Sequence, residues 1–150
     1  MRHLRMYVDA SVIGGCLDEE FSHESIALLD MARQGRATLV VSDLLVDELL
    51  DAPPQVAAIV EGLPDECVER VFTTAETRHL RNRYLDAGVV GPASADDALH
   101  VALATVAGAH MIVSWNFKHL VHYEKIRGYN AVNLREGYPL VEIHSPKEVI

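Results

Sequence analysis

SADDALHVALATVAGAHMIVS, residues 94–114, is the stretch from which the fold can be read. Leu99, Ala102, Leu103 and Val106 recur at steps of three and four, which places them on one face of a helix from Ser94 to Ala107. Gly108 stops that helix, because glycine takes the left-handed conformation after a last turn without a Cβ penalty. Met111-Ile112-Val113 comes next as a short, continuous apolar run, the pattern of a strand buried on both faces. A helix feeding a fully apolar strand is the repeating unit of a parallel α/β sheet.

Further copies of this unit lie upstream. Arg5-Met6-Tyr7-Val8 reads as a strand ending at Asp9, with Ser11 able to cap the next segment. Ile26, Leu29 and Ala32 place a helix over Ser22–Gln34, stopped near Gly35. Thr38-Leu39-Val40-Val41 is a β-rich run, and Ser42 can cap a helix from Asp43 to about Leu50, which Pro53 and Pro54 break. A short helix, Gln55 to Val60, ends at Gly62 and Pro64. Cys67–Phe72 is a strand candidate. Thr73 and Glu76 have capping-box spacing for a helix reaching about Ala87. Downstream, His119–Ile126 reads as helical and Leu140–Ile143 as an edge strand. The expectation is one domain over residues 1–150: a three-layer α/β/α sandwich with a mostly parallel central sheet of four or five strands.

Composition narrows the function. Apolar residues make up 49% and charged residues 23%, enough for one sizeable core. No run is long and apolar enough to span a membrane, and the N-terminus does not read as a signal peptide. Cys16 and Cys67 are too few for a disulfide framework or a zinc site, and a reducing cytoplasm is expected. The net charge of −9 argues against coating nucleic acid by bulk electrostatics. Residues 1–70 hold 14 acids and 5 bases, whereas residues 71–150 hold 8 of each; the acidic first half suits repelling phosphates, attracting cations or contacting a basic partner, and any substrate that is RNA would be met by the second half.

In such sheets ligands bind beyond the carboxyl ends of the strands. Asp9 comes directly after the first strand; it either serves the catalytic edge or accepts backbone hydrogen bonds near Ser11. Glu48 sits in the stripe of Leu44, Leu45 and Leu49, where a charge needs a partner, an ion or the surface. Asp43 suits first-turn capping. Asp96 and Asp97 open the clearest helix. Asp97 has capping-box spacing from Ser94, yet two adjacent acids exceed what capping requires, which leaves a metal role open. His100 neighbours Asp97 on that helix and either orients a carboxylate or is a satisfied, half-buried histidine. Asn116 comes after the fourth strand as a turn former or an oxygen donor to a hard cation. Trp115 and Phe117 either stack on a base or cover the core. His119 and His122 lack the companions of a zinc set.

Absences exclude other chemistries. No phosphate-binding glycine loop, no Gly-x-Gly-x-x-Gly and no Gly-x-Ser-x-Gly elbow is present, so NTPase, dinucleotide and esterase readings lack their central residues. Acids at strand ends remain, and such oxygen ligands select magnesium or manganese.

Four segments together resemble a PIN domain, in particular the toxin ribonucleases of VapBC-type modules: Tyr7-Val8-Asp9-Ala10-Ser11-Val12-Ile13, Val41-Ser42-Asp43-Leu44-Leu45-Val46-Asp47-Glu48-Leu49, Ser94-Ala95-Asp96-Asp97-Ala98-Leu99-His100-Val101-Ala102-Leu103-Ala104, and Gly108-Ala109-His110-Met111-Ile112-Val113-Ser114-Trp115-Asn116-Phe117-Lys118-His119-Leu120. The likeness spans essentially the whole chain. It implies a metal-dependent endoribonuclease, with Asp9 and Asp97 as direct ligands of Mg2+ or Mn2+, and Glu48 and Asn116 acting directly or through water. Asn116 stands where many relatives have an acid, and Asp96 is a candidate for the missing charge. The resemblance further implies a homodimer and a small antitoxin partner, or alternatively an RNA-processing nuclease without antitoxin or a degenerate interaction module. Lys118, Arg78 and Arg81 are candidate phosphate contacts; the arginines, with Arg83, also suit a solvated helix face or pairing with the acidic half of a neighbouring chain.

Overall fold

A computed structural model describes residues 3–150. Five strands, β1 (Leu4–Val8), β2 (Ala37–Ser42), β3 (Val68–Val71), β4 (Met111–Val113) and β5 (Glu142–His144), form one sheet in the order β3-β2-β1-β4-β5. All four pairings are parallel. The helices are α1 (Ala10–Gly15), α2 (Ser22–Arg33), α3 (Asp43–Leu50), α4 (Pro54–Glu61), α5 (Ala75–Asp86), α6 (Ala95–Ala107), α7 (Tyr123–Arg135) and α8 (Pro146–Val149). The three-layer α/β expectation is met, with five strands.

Alternation along β1 separates two cores. Met6 and Val8 join Leu39, Val41 and Val113 in a cluster with α1–α4, while Tyr7 joins Val40, Ile112 and Ile143 in a cluster with α5–α7. Both faces are therefore covered, which is why these strands are apolar throughout. Residues 98–105 of α6 are all buried. Gly108 ends α6 in the left-handed conformation, with φ of 69°. The chain lays β2 and β3 on one side of β1 and β4 and β5 on the other, so the order reverses between β1 and β4. That reversal opens a crevice at the carboxyl ends of these two strands, beside Asp9 and Ser114.

Several local expectations shift. Asp9, not Ser11, is the N-cap of α1: its side chain accepts from Ser11 N. α5 is capped by Thr74, in a box with Thr77, rather than by Thr73 and Glu76, because Thr73 is held elsewhere: its N and Oγ1 both donate to Asp43 Oδ1 at 2.9 Å. Asp43 thus ties α3 to the end of β3 besides accepting from Leu44 N at 3.0 Å. Ser94 makes no side-chain cap to α6. The helix expected at His119–Ile126 starts at Tyr123 and runs on to Arg135, because residues 116–121 form a turn in which Asn116 O accepts from Leu120 N and Val121 N at 3.1 and 2.8 Å. Gly128, Asn130 and Asn133 weaken the helical signal there, yet each is used: a Cβ at Gly128 would lie 3.0 Å from Val89, Asn130 Nδ2 donates to Val141 O at 2.9 Å, and buried Asn133 accepts from Tyr84 OH. The edge strand begins at Glu142 rather than Leu140. Ser42 caps α3 as expected, accepting from Leu45 N at 3.1 Å.

Candidate active site

Two strand ends and the start of α6 meet through hydrogen bonds. Asp9, only 6% exposed, accepts at Oδ1 from Ser11 Oγ at 2.6 Å and from Ser11 N at 3.2 Å, and at Oδ2 from Ser114 Oγ at 2.7 Å. Ser114 Oγ in turn accepts from Asn116 N at 2.9 Å. Asn116 Nδ2 donates to Asp97 Oδ1 at 3.0 Å, and Asn116 Oδ1 accepts from His119 N at 3.0 Å. The partners dictate the amide's orientation, because a carboxylate needs a donor and a backbone N–H needs an acceptor. The chain Asp9–Ser114–Asn116–Asp97 is thereby continuous.

Glu48 joins from α3 through a buried histidine. His100, 1% exposed, bonds Glu48 Oε1 through Nε2 at 2.8 Å and Tyr7 OH through Nδ1 at 2.6 Å. Tyr7 OH reaches Ser42 Oγ at 2.8 Å. Because an ionised carboxylate only accepts, Nε2 carries the proton toward Glu48. His100 is therefore fully buried rather than half-buried, and it orients a carboxylate. Burial opposes its charge, but the Glu48 hydrogen bond and the charges of Glu48, Asp9 and Asp97 outweigh that and raise its pKa. Asp97 is half-buried. Its pKa is raised chiefly by burial, with the charges of Asp9 and Glu48 adding and those of His119 and His100 opposing. Asp9, Glu48 and Asp97 thus act on one another through a shared field.

Neither a family model nor a curated protein matches the sequence. Solved structures match by fold. One is VapBC2 from Rickettsia felis bound to a DNA fragment from their promoter, superposing with a TM-score of 0.60 at 12% identity over 95% of this chain and 98% of that one. The chain has a VapC-like PIN fold.

In this PIN fold the structure gathers Asp9, Glu48, Asp97 and Asn116 into one hydrogen-bonded and electrostatic neighbourhood. Asn116 enters it through a donor to Asp97, with its oxygen turned to the His119 turn. Asp96 is not gathered in: it is exposed and, among the described residues, makes no hydrogen bond or ion pair with the cluster. Lys118 is exposed two residues beyond Asn116. Arg78 is exposed on α5, Arg81 bonds its neighbour Asn82, and Arg83 lies 3.6 Å from both Asp86 and Glu136 of its own chain. Trp115 is buried against Phe21, and Phe117 is half exposed. His119 Nδ1 is buried without a hydrogen-bond partner among the described residues.

Sequence reasoning missed Tyr7, Ser42 and Ser114 as members of the site. Serines immediately after two parallel strands were the available signal, since that edge of the sheet is where polar groups are wanted.

Among the described residues, no three of His, Cys, Asp or Glu come together tightly enough to enclose an ion. The donors, Asp9 and Asp97 with Glu48 nearby, are all oxygen, the ligand type that hard cations such as Mg2+ or Mn2+ take.

Proposed function

We propose that this chain is a metal-dependent endoribonuclease, the toxin of a toxin–antitoxin pair, working as a cytoplasmic homodimer. The observation that carries the reading is the continuous Asp9–Ser114–Asn116–Asp97 hydrogen-bond chain across the reversal point of a VapC-like sheet, with Glu48 tied in through His100. Asp9 and Asp97 would hold Mg2+ or Mn2+, and Glu48 would reach it directly or through water. When bound, the ion supplies neutralisation of phosphate charge and a lower pKa for a bound water.

The chain's own residues do the positioning. Ser11 and Ser114, whose hydroxyls lie 3.4 Å apart, each hold one oxygen of Asp9. Asn116 holds one Asp97 oxygen, leaving the other free to face substrate or solvent. His100 holds Glu48 at Oε1 and keeps a proton at Nε2. Hydrolysis adds water oxygen to phosphorus and breaks the P–O3′ bond. The 3′ oxygen takes a proton, leaving 5′-phosphate and 3′-hydroxyl ends. Lys118 would meet the RNA backbone beside this centre; Arg78 and Arg81 are the further candidates on α5.

The likeness to VapBC2 supports a small DNA-binding protein as the antitoxin partner. The decisive experiment incubates the purified chain with structured RNAs in Mg2+, in Mn2+ and in chelator, and maps the ends. Cleavage that needs the ion and leaves 5′-phosphates is the expected result. Absence of cleavage in both metals would favour an interaction module. Light scattering across a wide concentration range checks the dimer, and only monomer at all concentrations would refute it.

A further inference from the structure

An open cleft of about 350 Å³ adjoins the acids, and neither the metal nor the backbone phosphates account for it. Its rim is shared with the candidate site: Ser11 bonds Asp9, and Asn116 bonds Asp97. An RNA whose scissile phosphate sits at the acids has a flanking nucleoside within reach of it.

The chemistry of the cleft suits a base. One wall is aromatic: Phe21 stacks on Trp115 with centroids 4.3 Å apart, and Trp115 Nε1 donates to Ser25 Oγ at 2.8 Å, which locks the ring. Trp115 is buried beneath this stack, so the partly exposed Phe21 ring is the flat apolar surface offered to a nucleobase. The ionisable group in the lining is Asp18, and no lysine or arginine accompanies it, so a phosphate is repelled and a neutral ring is not.

Gly14 supplies an independent observation. It lies in α1 without the positive φ that would demand glycine. A Cβ there would meet nothing within 4 Å. Glycine in a helix is unfavourable relative to alanine, and here no contact among the described residues requires it. Neighbouring Gly15 is different, since its Cβ would lie 2.5 Å from Ser25 Oγ. Gly14 therefore leaves its side of the cleft unfilled.

The hydrogen-bonding groups specify which base. Ser11 Oγ is occupied, donating to Asp9 and accepting from Trp115 N at 2.9 Å. The Asn116 amide is engaged at both ends. The exposed Asp18 carboxylate, with Oδ1 accepting from Glu20 N at 2.8 Å, remains as an acceptor. Guanine offers two adjacent donors, N1–H and N2–H, to a carboxylate. Adenine and cytosine place a ring acceptor beside their amine, and uracil flanks its N–H with carbonyls. We infer that the cleft beside Asp9 and Asn116 is a guanine-preferring base subsite for the nucleotide flanking the scissile phosphate. The inference rests on the nuclease reading, but its binding test does not need catalysis.

Trp115 is the chain's single tryptophan, so its indole N–H resonance and its emission report the cleft directly. Guanosine, adenosine, cytidine and uridine are titrated separately into the metal-free protein. Guanosine should shift the Trp115 signal with an affinity about ten-fold above the other three, the discrimination expected of a bidentate contact. Gly14→Leu, which fills open space without a clash, should keep a cooperative melting curve and lose the response. Asp18→Asn should keep binding but level the four nucleosides. In parallel, wild type cleaves a random-sequence RNA in Mg2+, and guanine should be enriched beside the cut and lost in Asp18→Asn. No Trp115 response to any nucleoside, an equal response to all four, or an unchanged response in Gly14→Leu overturns the subsite. RNA cut without a nucleoside response means the subsite is wrong and the nuclease right; a guanosine response without cleavage means the reverse.

Discussion

Asp97→Asn separates a metal ligand from a purely structural acceptor for Asn116. The variant keeps an oxygen for Asn116 Nδ2 and removes the charge. In the folded chain the Asp97 pKa is raised, mainly by burial, with Asp9 and Glu48 adding. For an acid with a raised folded pKa the ionised form weakens the fold: the penalty is absent below the unfolded pKa and present in full above the folded one. With that charge removed, the metal-free variant should melt above wild type at neutral pH, an advantage that vanishes as the pH falls below the carboxylate range. The cation reverses the comparison. At about 100 times its Kd, Mg2+ should stabilise wild type by about 2.7 kcal/mol, or roughly 5–10 °C, and should barely move the variant. The assay is paired thermal melts in Mg2+ and in chelator with single-turnover RNA cleavage. Cleavage should fall more than about 100-fold, beyond what loss of an outer hydrogen-bond partner removes. Equal Mg2+ shifts in both proteins, or cleavage at the wild-type rate, would refute the reasoning and leave Asp97 a structural acceptor for Asn116, a role that an amide oxygen fills as well.

Tyr7→Phe removes the hydroxyl between Ser42 Oγ and His100 Nδ1 and leaves a buried ring nitrogen unpaired; urea unfolding should show a loss of about 1–3 kcal/mol, and a negligible loss would mean that water takes the hydroxyl's place. Lys118→Ala should weaken RNA binding on all sequences and lower the salt-dependence slope by about 1, whereas an unchanged slope would show that Lys118 never meets the backbone. Burial works to lower the His144 pKa, but hydrogen bonds to Glu142 and Glu148 and their charges outweigh it and raise the value. Its stabilisation is therefore full below the unfolded histidine pKa and lost as pH rises through the folded one, so His144→Gln should lower Tm more at about pH 5 than at about pH 8; a deficit that grows with pH would contradict this.

Local physics made most of the scaffold legible. Apolar runs at Met6–Val8, Thr38–Val41 and Met111–Val113 needed no partner to read as buried strands, and the three-and-four spacing in α6 identified its face. Ser42 before Asp43 was sufficient for a cap, because the N-cap bond closes within four residues. The start of α5 was misplaced by one residue for the opposite reason: Thr73 is captured by Asp43, 30 positions away. Likewise α7 was cut short because Gly128 and Asn133 look unhelical until Val89 and Tyr84 are packed against them.

The site divides along the same line. Asp9, Glu48 and Asp97 were found as acids at strand ends or in apolar stripes, where a lone charge is conspicuous. Their wiring was not legible. The contact of Tyr7 with His100 spans 93 residues, and that of Ser114 with Asp9 spans 105. Such contacts exist only once the sheet has ordered β2, β1 and β4 side by side. Asp96 and Asp97 are chemically alike and adjacent in sequence. The roughly 100° turn between successive helical residues sends Asp96 to solvent and Asp97 to Asn116, and only the docking of α6 on the sheet decided which of the two faces inward.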